Sequence, residues 1–190
     1  MPEESVTTTH LRMVSRDQVR PKYLDNPAVE ARAVEIANPS LNHFFFVEVG
    51  ASFNWTSRLG WTYQDWERYL APPETRTWVG SVSGSPFGYF ELQSRPETTE
   101  IMFFGLLRAF RGCGLGGHLL SCAVEQAWAL PGTSSVYVHT CTLDHPAALA
   151  NYLARGFQVE REETEVEVLP DPEDPIWSSP EYYRSLRAGR

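Results

Sequence analysis

Residues 110–117 read Phe-Arg-Gly-Cys-Gly-Leu-Gly-Gly, and they join two segments of different pattern. Residues 100–107 are nearly continuous in apolar side chains, as in a strand covered on both faces. On the other side, Leu115, Leu119, Ala123, Val124 and Ala127 fall on one helical stripe, which Pro131 and Gly132 end. A strand passed into a helix through glycines constrains the fold more than any other feature of the chain. Glycines permit positive φ and close backbone approach, so consecutive N–H groups from Gly112, Cys113, Gly114, Leu115, Gly116 and Gly117 can converge on an anion at a helix N-terminus. A pyrophosphate is the natural guest, and a turn that only redirects the chain is the competing reading. A dinucleotide fingerprint fits poorly, because it belongs after the first strand of a βαβ unit. No Gly-Lys-Ser/Thr follows, which excludes a Walker loop.

The surrounding pattern is that of an α/β domain. Residues 75–82 and 87–93 are β-rich runs separated by Ser83-Gly84-Ser85-Pro86, which reads as a hairpin. Residues 135–140 alternate as a short strand, 146–154 form a second helix with Pro146 in its first turn and Asp144 as its N-cap, and Phe157 opens a further strand. Upstream, residues 6–14 alternate as a strand and 29–36 have helical character between prolines. The run LNHFFFVEV at 41–49 fits a buried strand or the end of a helix equally well. Thr62 is a plausible N-cap for a short helix through Leu70, with Trp66 and Leu70 on one face. Its aromatic neighbours serve either as core or as walls of a substrate pocket. In the proline-rich arm at 170–190, Trp177, Tyr182 and Tyr183 suit packing on the domain, a homodimer contact being the alternative.

A chain of 190 residues fits a single domain with a sizeable core, and 42% hydrophobic with 21% charged residues argues against disorder or a coiled coil. The formal net charge of −8 argues against nucleic-acid binding as a main activity and favours a cationic substrate. Three cysteines without a C-x-x-C pair read as free thiols of a reducing compartment, and no residue spacing suggests a metal site. The first residues lack a basic segment followed by an apolar run, and no apolar run is long enough to span a bilayer; the expected address is the cytoplasm.

Two motifs are more specific. Arg111-x-x-Gly114-x-Gly116, followed by an amphipathic helix, resembles the Q/R-x-x-G-x-G/A acetyl-CoA signature of the Gcn5-related N-acetyltransferase (GNAT) superfamily. The segment from His145 to Phe157, HPAALANYLARGF, resembles that superfamily's N-x-A-A-x-x-x-Y-x-x-x-G-F segment, with His145 where Asn is common. The resemblance spans residues 78–167. It implies a mixed, mostly antiparallel twisted sheet with helices on both faces, parted beside the glycine-loop strand so that coenzyme A can enter. Residues 74–169 would be the acetyl-CoA-binding core, 1–73 the acceptor side and 170–190 an arm. One departure is that a single long strand follows Gly156, which leaves the family's seventh strand unassigned.

The resemblance implies transfer of an acetyl group from acetyl-CoA, as cosubstrate, to the amine of a small molecule or peptide. The alternatives are a longer acyl group or a CoA-binding sensor on the same fold. Leu106, Arg111, the loop residues Gly112 to Gly117 and His145 would contact the cosubstrate. Tyr152 would be the general acid, because a phenol of pKa about 10 is protonated at neutral pH and can donate to a departing thiolate. Glu100 resembles the base of the histone-acetylating branch, and Glu91 on the neighbouring strand is the second candidate. Both interrupt apolar runs, which is unfavourable unless they are paired or face a cleft. His139 and His145 are candidates for relaying a proton.

Overall fold

The computed structural model describes residues 3–188; residues 1–2 and 189–190, at the ends of the outer segments, lie outside it. Seven strands form one sheet: β1 (Glu3–Met13), β2 (Val29–Ala33), β3 (Thr75–Val82), β4 (Ser85–Arg95), β5 (Thr98–Leu106), β6 (Ser135–Cys141) and β7 (Gln158–Val168). Their order is β2-β3-β4-β5-β6-β1-β7, and every neighbouring pair is antiparallel except β5 with β6. The expected α/β class with a mixed, mostly antiparallel sheet is therefore the observed one.

Five α-helices accompany the sheet: α1 (Pro39–Gly50), α2 (Tyr63–Leu70), α3 (Leu115–Ala129), α4 (Ala148–Ala154) and α5 (Pro180–Ala188). On one face, α3 buries Leu119, Leu120, Ala123 and Val124 against Phe87, Phe90, Leu92 and Ile101 of the sheet. On the other face, α1 presents Phe45 and Val49 to Tyr89, with the Phe45 and Tyr89 rings stacked 4.8 Å apart.

The ambiguous run at 41–49 is helical. Asn38 caps it by accepting from the Leu41 N–H, and Pro39 sits at its first turn, where no amide partner is lost. The run reads as apolar throughout because α1 is buried on most sides; only Phe44 among its three phenylalanines is exposed. Residues 29–36 are expected to be helical; instead Val29–Ala33 form the edge strand β2, paired with β3 from Val29↔Val82 to Ala33↔Trp78. A free sheet edge overrides the weak local preference. The hairpin turn is tighter than read from the sequence: Ser83 and Gly84, both at positive φ, join β3 to β4 directly.

The unassigned strand is β1. It lies between β6 and β7, antiparallel to both, pairing Leu11 with Val138 on one side and Val159 on the other. Its buried residues Val6, Leu11 and Met13 complete the sheet interior. The arm packs on the domain through α5. Tyr182, 2% exposed, stacks on His43 with ring centroids 3.7 Å apart and donates its hydroxyl to Ser40 Oγ at 2.9 Å.

Candidate active site

Strands β5 and β6 run parallel only at Thr98↔Ser135, Thr99↔Val136 and Glu100↔Tyr137. Beyond Glu100 they part. On its other side, β5 carries an extra residue, Met102, between the pairs Leu92↔Ile101 and Glu91↔Phe103, a bulge that increases the local twist. The gap opens into a cavity of about 720 Å³, walled by the end of β5, by β6, by α4 and by the loop between α1 and α2. Among the described residues, no helix is long and apolar enough to cross a membrane.

The glycine loop forms one rim. Gly112 and Gly114 have φ of +79° and +78°, and Gly114 stands immediately before α3 with no side chain capping the helix. The first N–H groups of α3 are thus left for an external acceptor. A Cβ on Gly112 would meet no atom within 4 Å, and one on Gly116 would meet only Leu106 and Asn151 at 3.6 and 3.9 Å, so the cradle is open. Of the residues read from the sequence as cosubstrate contacts, Leu106, Arg111, Gly112, Gly114, Gly116, Gly117 and His145 line the cavity. Cys113 and Leu115 of the same loop do not line it: the Cys113 side chain is exposed, and the Leu115 side chain is buried in the core.

Arg111 is turned inward. It donates to the carbonyls of Leu106 at 3.2 Å and Val49 at 3.3 Å and lies over the Phe53 ring, so it ties the glycine loop to the ends of β5 and α1. Cation is instead supplied by two residues that sequence reasoning missed. Lys22 and Arg155 flank Gly117, where a Cβ would stand 3.0 Å from Lys22 Cδ and 2.8 Å from Arg155 Nη1, and Arg155 Nε is buried without a partner among the described residues. Two cations beside the positive end of a helix repel it unless an anion comes between them. The residues present therefore fit a phosphate-bearing ligand. The only signal for Arg155 was its place before the Gly156-Phe157 pair, and Lys22 had none.

Tyr152 lines the same cavity from α4, 6% exposed, held edge-on by Phe157 and Phe104. Burial, and then the Asp144 carboxylate, push its hydroxyl well above the usual tyrosine range, so it stays protonated at neutral pH. Asp144 is not the N-cap of α4. It folds back to accept from Thr140 Oγ1 at 2.7 Å and the Cys141 N–H at 3.1 Å, while Trp55 Nε1 reaches it at 3.3 Å from the α1–α2 loop. That contact bridges the cavity between the two halves of the molecule. His145 turns its Nδ1 to the Ala147 N–H at 3.1 Å.

The two acids occupy different places. Glu100, 5% exposed, holds Arg95 at 2.7 Å and lies 3.7 Å from Nδ1 of His139, whose half-exposed ring lines the cavity. Like Glu100, Glu91 does not line the cavity. Its Oε1 accepts from Arg58 Nη1 at 2.9 Å and its Oε2 from Asn42 Nδ2 at 2.6 Å, under α1 and α2. The aromatic segment divides likewise: Phe53 and Trp55 line the cavity, whereas Trp61, Trp66 and Tyr69 wrap the Arg58 guanidinium.

Comparison with known proteins agrees with this geometry. The sequence model of the Acetyltransferase (GNAT) family matches residues 36–157. No protein of curated function matches the sequence. Among solved structures, a GCN5-related N-acetyltransferase from Kribbella flavida is 15% identical, with a TM-score of 0.64, over 86% of this chain and 59% of its own. One from Sphaerobacter thermophilus is 16% identical, with a TM-score of 0.61, over 85% of this chain and 50% of its own. The ribosomal-protein-S18-alanine N-acetyltransferase from Escherichia coli is 12% identical, with a TM-score of 0.53, over 68% and 77%. The chain thus spans between half and three fifths of the first two structures, and at these identities the likeness is one of fold. With well over half of its length matched by the family's sequence model, the chain belongs to the GNAT family of acyltransferases.

Proposed function

We propose that the protein is an N-acetyltransferase that moves an acetyl group from acetyl-CoA to a primary amine by direct attack. The observation that carries this reading is one cavity holding both an open helix N-terminus flanked by Lys22 and Arg155 and the protonated hydroxyl of Tyr152. The amides of the glycine loop, with those two cations, hold the phosphates. Bound acetyl-CoA supplies the activated acetyl carbonyl. Tyr152 gives its proton to the sulfur as the carbon–sulfur bond breaks, which makes the thiol rather than the thiolate the leaving group. His139, backed by Glu100, takes the proton released as the new carbon–nitrogen bond forms. The buried Glu91 is left outside this path by its position. A net charge of −8 draws a cationic acceptor towards the molecule.

The test is release of free CoA thiol with a panel of primary amines. Tyr152→Phe keeps acetyl-CoA affinity and lowers the chemistry-limited rate by about 10²-fold, within the range for a lost general acid. Turnover equal to wild type would reduce Tyr152 to packing. Failure of acetyl-CoA to bind the folded protein would overturn the reading as a whole.

A further inference from the structure

A second cavity, of about 470 Å³ and so within the ~300–1,000 Å³ of small-molecule sites, lies at the end of the sheet where β2 pairs with β3. It is a partly open cleft lined by the segment from Ala33 to Asn38, the start of α1, the end of α2 and the start of β3, and the two cavities share no lining residue. Leu70, Pro72, Pro73 and Ala37 give it apolar walls. Asn42 lines it and is 1% exposed. Both amide protons of Asn42 are committed, to Thr77 Oγ1 at 2.7 Å and to Glu91 Oε2 at 2.6 Å, which fixes the orientation of the side chain. Its Oδ1 has no partner among the described residues. A buried acceptor left unpaired is unfavourable until a donor reaches it.

The charges around this cavity balance. Glu35 and Arg76 both line it, one of each sign, and Glu91 behind Asn42 is neutralised by Arg58. An ion of either sign entering here loses hydration with no net attraction in return. We infer that this cavity is a second small-molecule site, selective for a neutral, largely apolar molecule whose N–H donates to Asn42 Oδ1, such as a carboxamide or a ureide.

The experiment is a titration of the ¹⁵N-labelled full chain with benzamide and phenylurea, with benzoate and benzylammonium as charged controls. The neutral probes shift the Asn42 side-chain amide and the backbone amides of residues 33–38, 71 and 74–77 in a saturable manner; the charged controls do not. Ala37→Trp, placing an indole at the mouth from an exposed position, weakens benzamide at least about tenfold while leaving acetyl-CoA affinity unchanged. Ala33→Trp, at a second exposed lining position, serves if the first variant fails to fold. No saturable shift at those amides means that Asn42 Oδ1 is served by ordered water alone and overturns the site. Equal binding of benzylammonium or benzoate overturns the selectivity. Benzamide binding that survives both rim variants places the molecule elsewhere and also overturns the site.

Discussion

Replacing Glu91 by Gln separates a structural acid from a catalytic one. Glu91 and the Arg58 side chain are 1% and 6% exposed, and the ion pair between them is 2.9 Å long. Burial pushes the Glu91 carboxyl up, and the Arg58 guanidinium opposes that shift. The guanidinium lies over Tyr69, Phe103, Trp61 and Trp66 at 3.8, 4.3, 4.7 and 5.3 Å from their centroids. Those rings contribute about 2 kcal/mol when desolvated, too little to hold a cation whose counter-charge is gone. Removing one partner of a buried pair costs about 3–5 kcal/mol, a large part of the ~5–15 kcal/mol that stabilises a domain. At ~2–4 °C per kcal/mol for a chain of this size, Tm falls by about 6–20 °C. Calorimetry and urea unfolding give the stability change, and CoA release well below the lowered Tm gives kcat across pH. Glu91→Leu with Arg58→Met, which removes both charges, recovers most of the loss. A Glu91→Gln variant with unchanged Tm and a pH-dependent loss of kcat would refute this reasoning and return Glu91 to the role of base.

Three further outcomes follow from the same structure. His43, stacked on Tyr182 and lowered by burial from 6.5 to about 4, is protonated more readily in the unfolded chain. Its contribution is therefore full above pH 6.5, declines as pH falls towards 4 and is lost below that, by at most about 3 kcal/mol; urea midpoints of wild type and His43→Gln across this window check it, and equal slopes would disprove it. Gly116→Ala meets only ordinary contacts at 3.6 and 3.9 Å, so Tm is held or rises by the helix propensity of Ala, about 1 kcal/mol, while calorimetric titration shows weaker acetyl-CoA binding. Gly156→Ala is destabilising by about 3 kcal/mol or more, read from the urea midpoint, because at φ +105° its Cβ would stand 1.8 Å from the Gln18 carbonyl oxygen.

The parts of the molecule that were legible in the sequence are those encoded locally. The glycine loop, the stripe of α3 and the Thr62 cap of α2 each need only a few neighbouring residues to be recognised, and each lies where its pattern places it. The parts that were not legible depend on what comes from elsewhere. Glu91 and Glu100 both interrupt apolar runs, and nothing in their own strands says that Arg58, thirty-three residues away from Glu91, neutralises one while His139 connects the other to the cavity. Lys22 and Arg155 are likewise unremarkable in sequence and meet at Gly117 only because the chain after β1 crosses the start of α3, where the Lys22 N–H donates to Ser121 Oγ at 2.7 Å.

The placement of β1 shows the same limit at the level of topology. Alternation along residues 6–14 specifies which side chains share a face, but a face is not a neighbour, and any free edge would satisfy it. The choice is made by the strands that need a partner. Strand β7 is exposed along its whole length and carries five glutamates, so set directly against β6 it would bring almost no apolar surface to the α3 face. Inserting β1 places Leu11 opposite Val138 and Met13 opposite Val136, where both are fully buried, and leaves β7 as an outer edge. Its glutamates then face the cations of β1 and of β7 itself: Glu160 meets Arg12 at 2.9 Å, and Glu163 meets Arg161. A charged edge also discourages pairing with a further strand. The seventh strand of the sheet thus comes from the first residues of the chain because only that segment supplies an apolar row on one face and polar partners for β7.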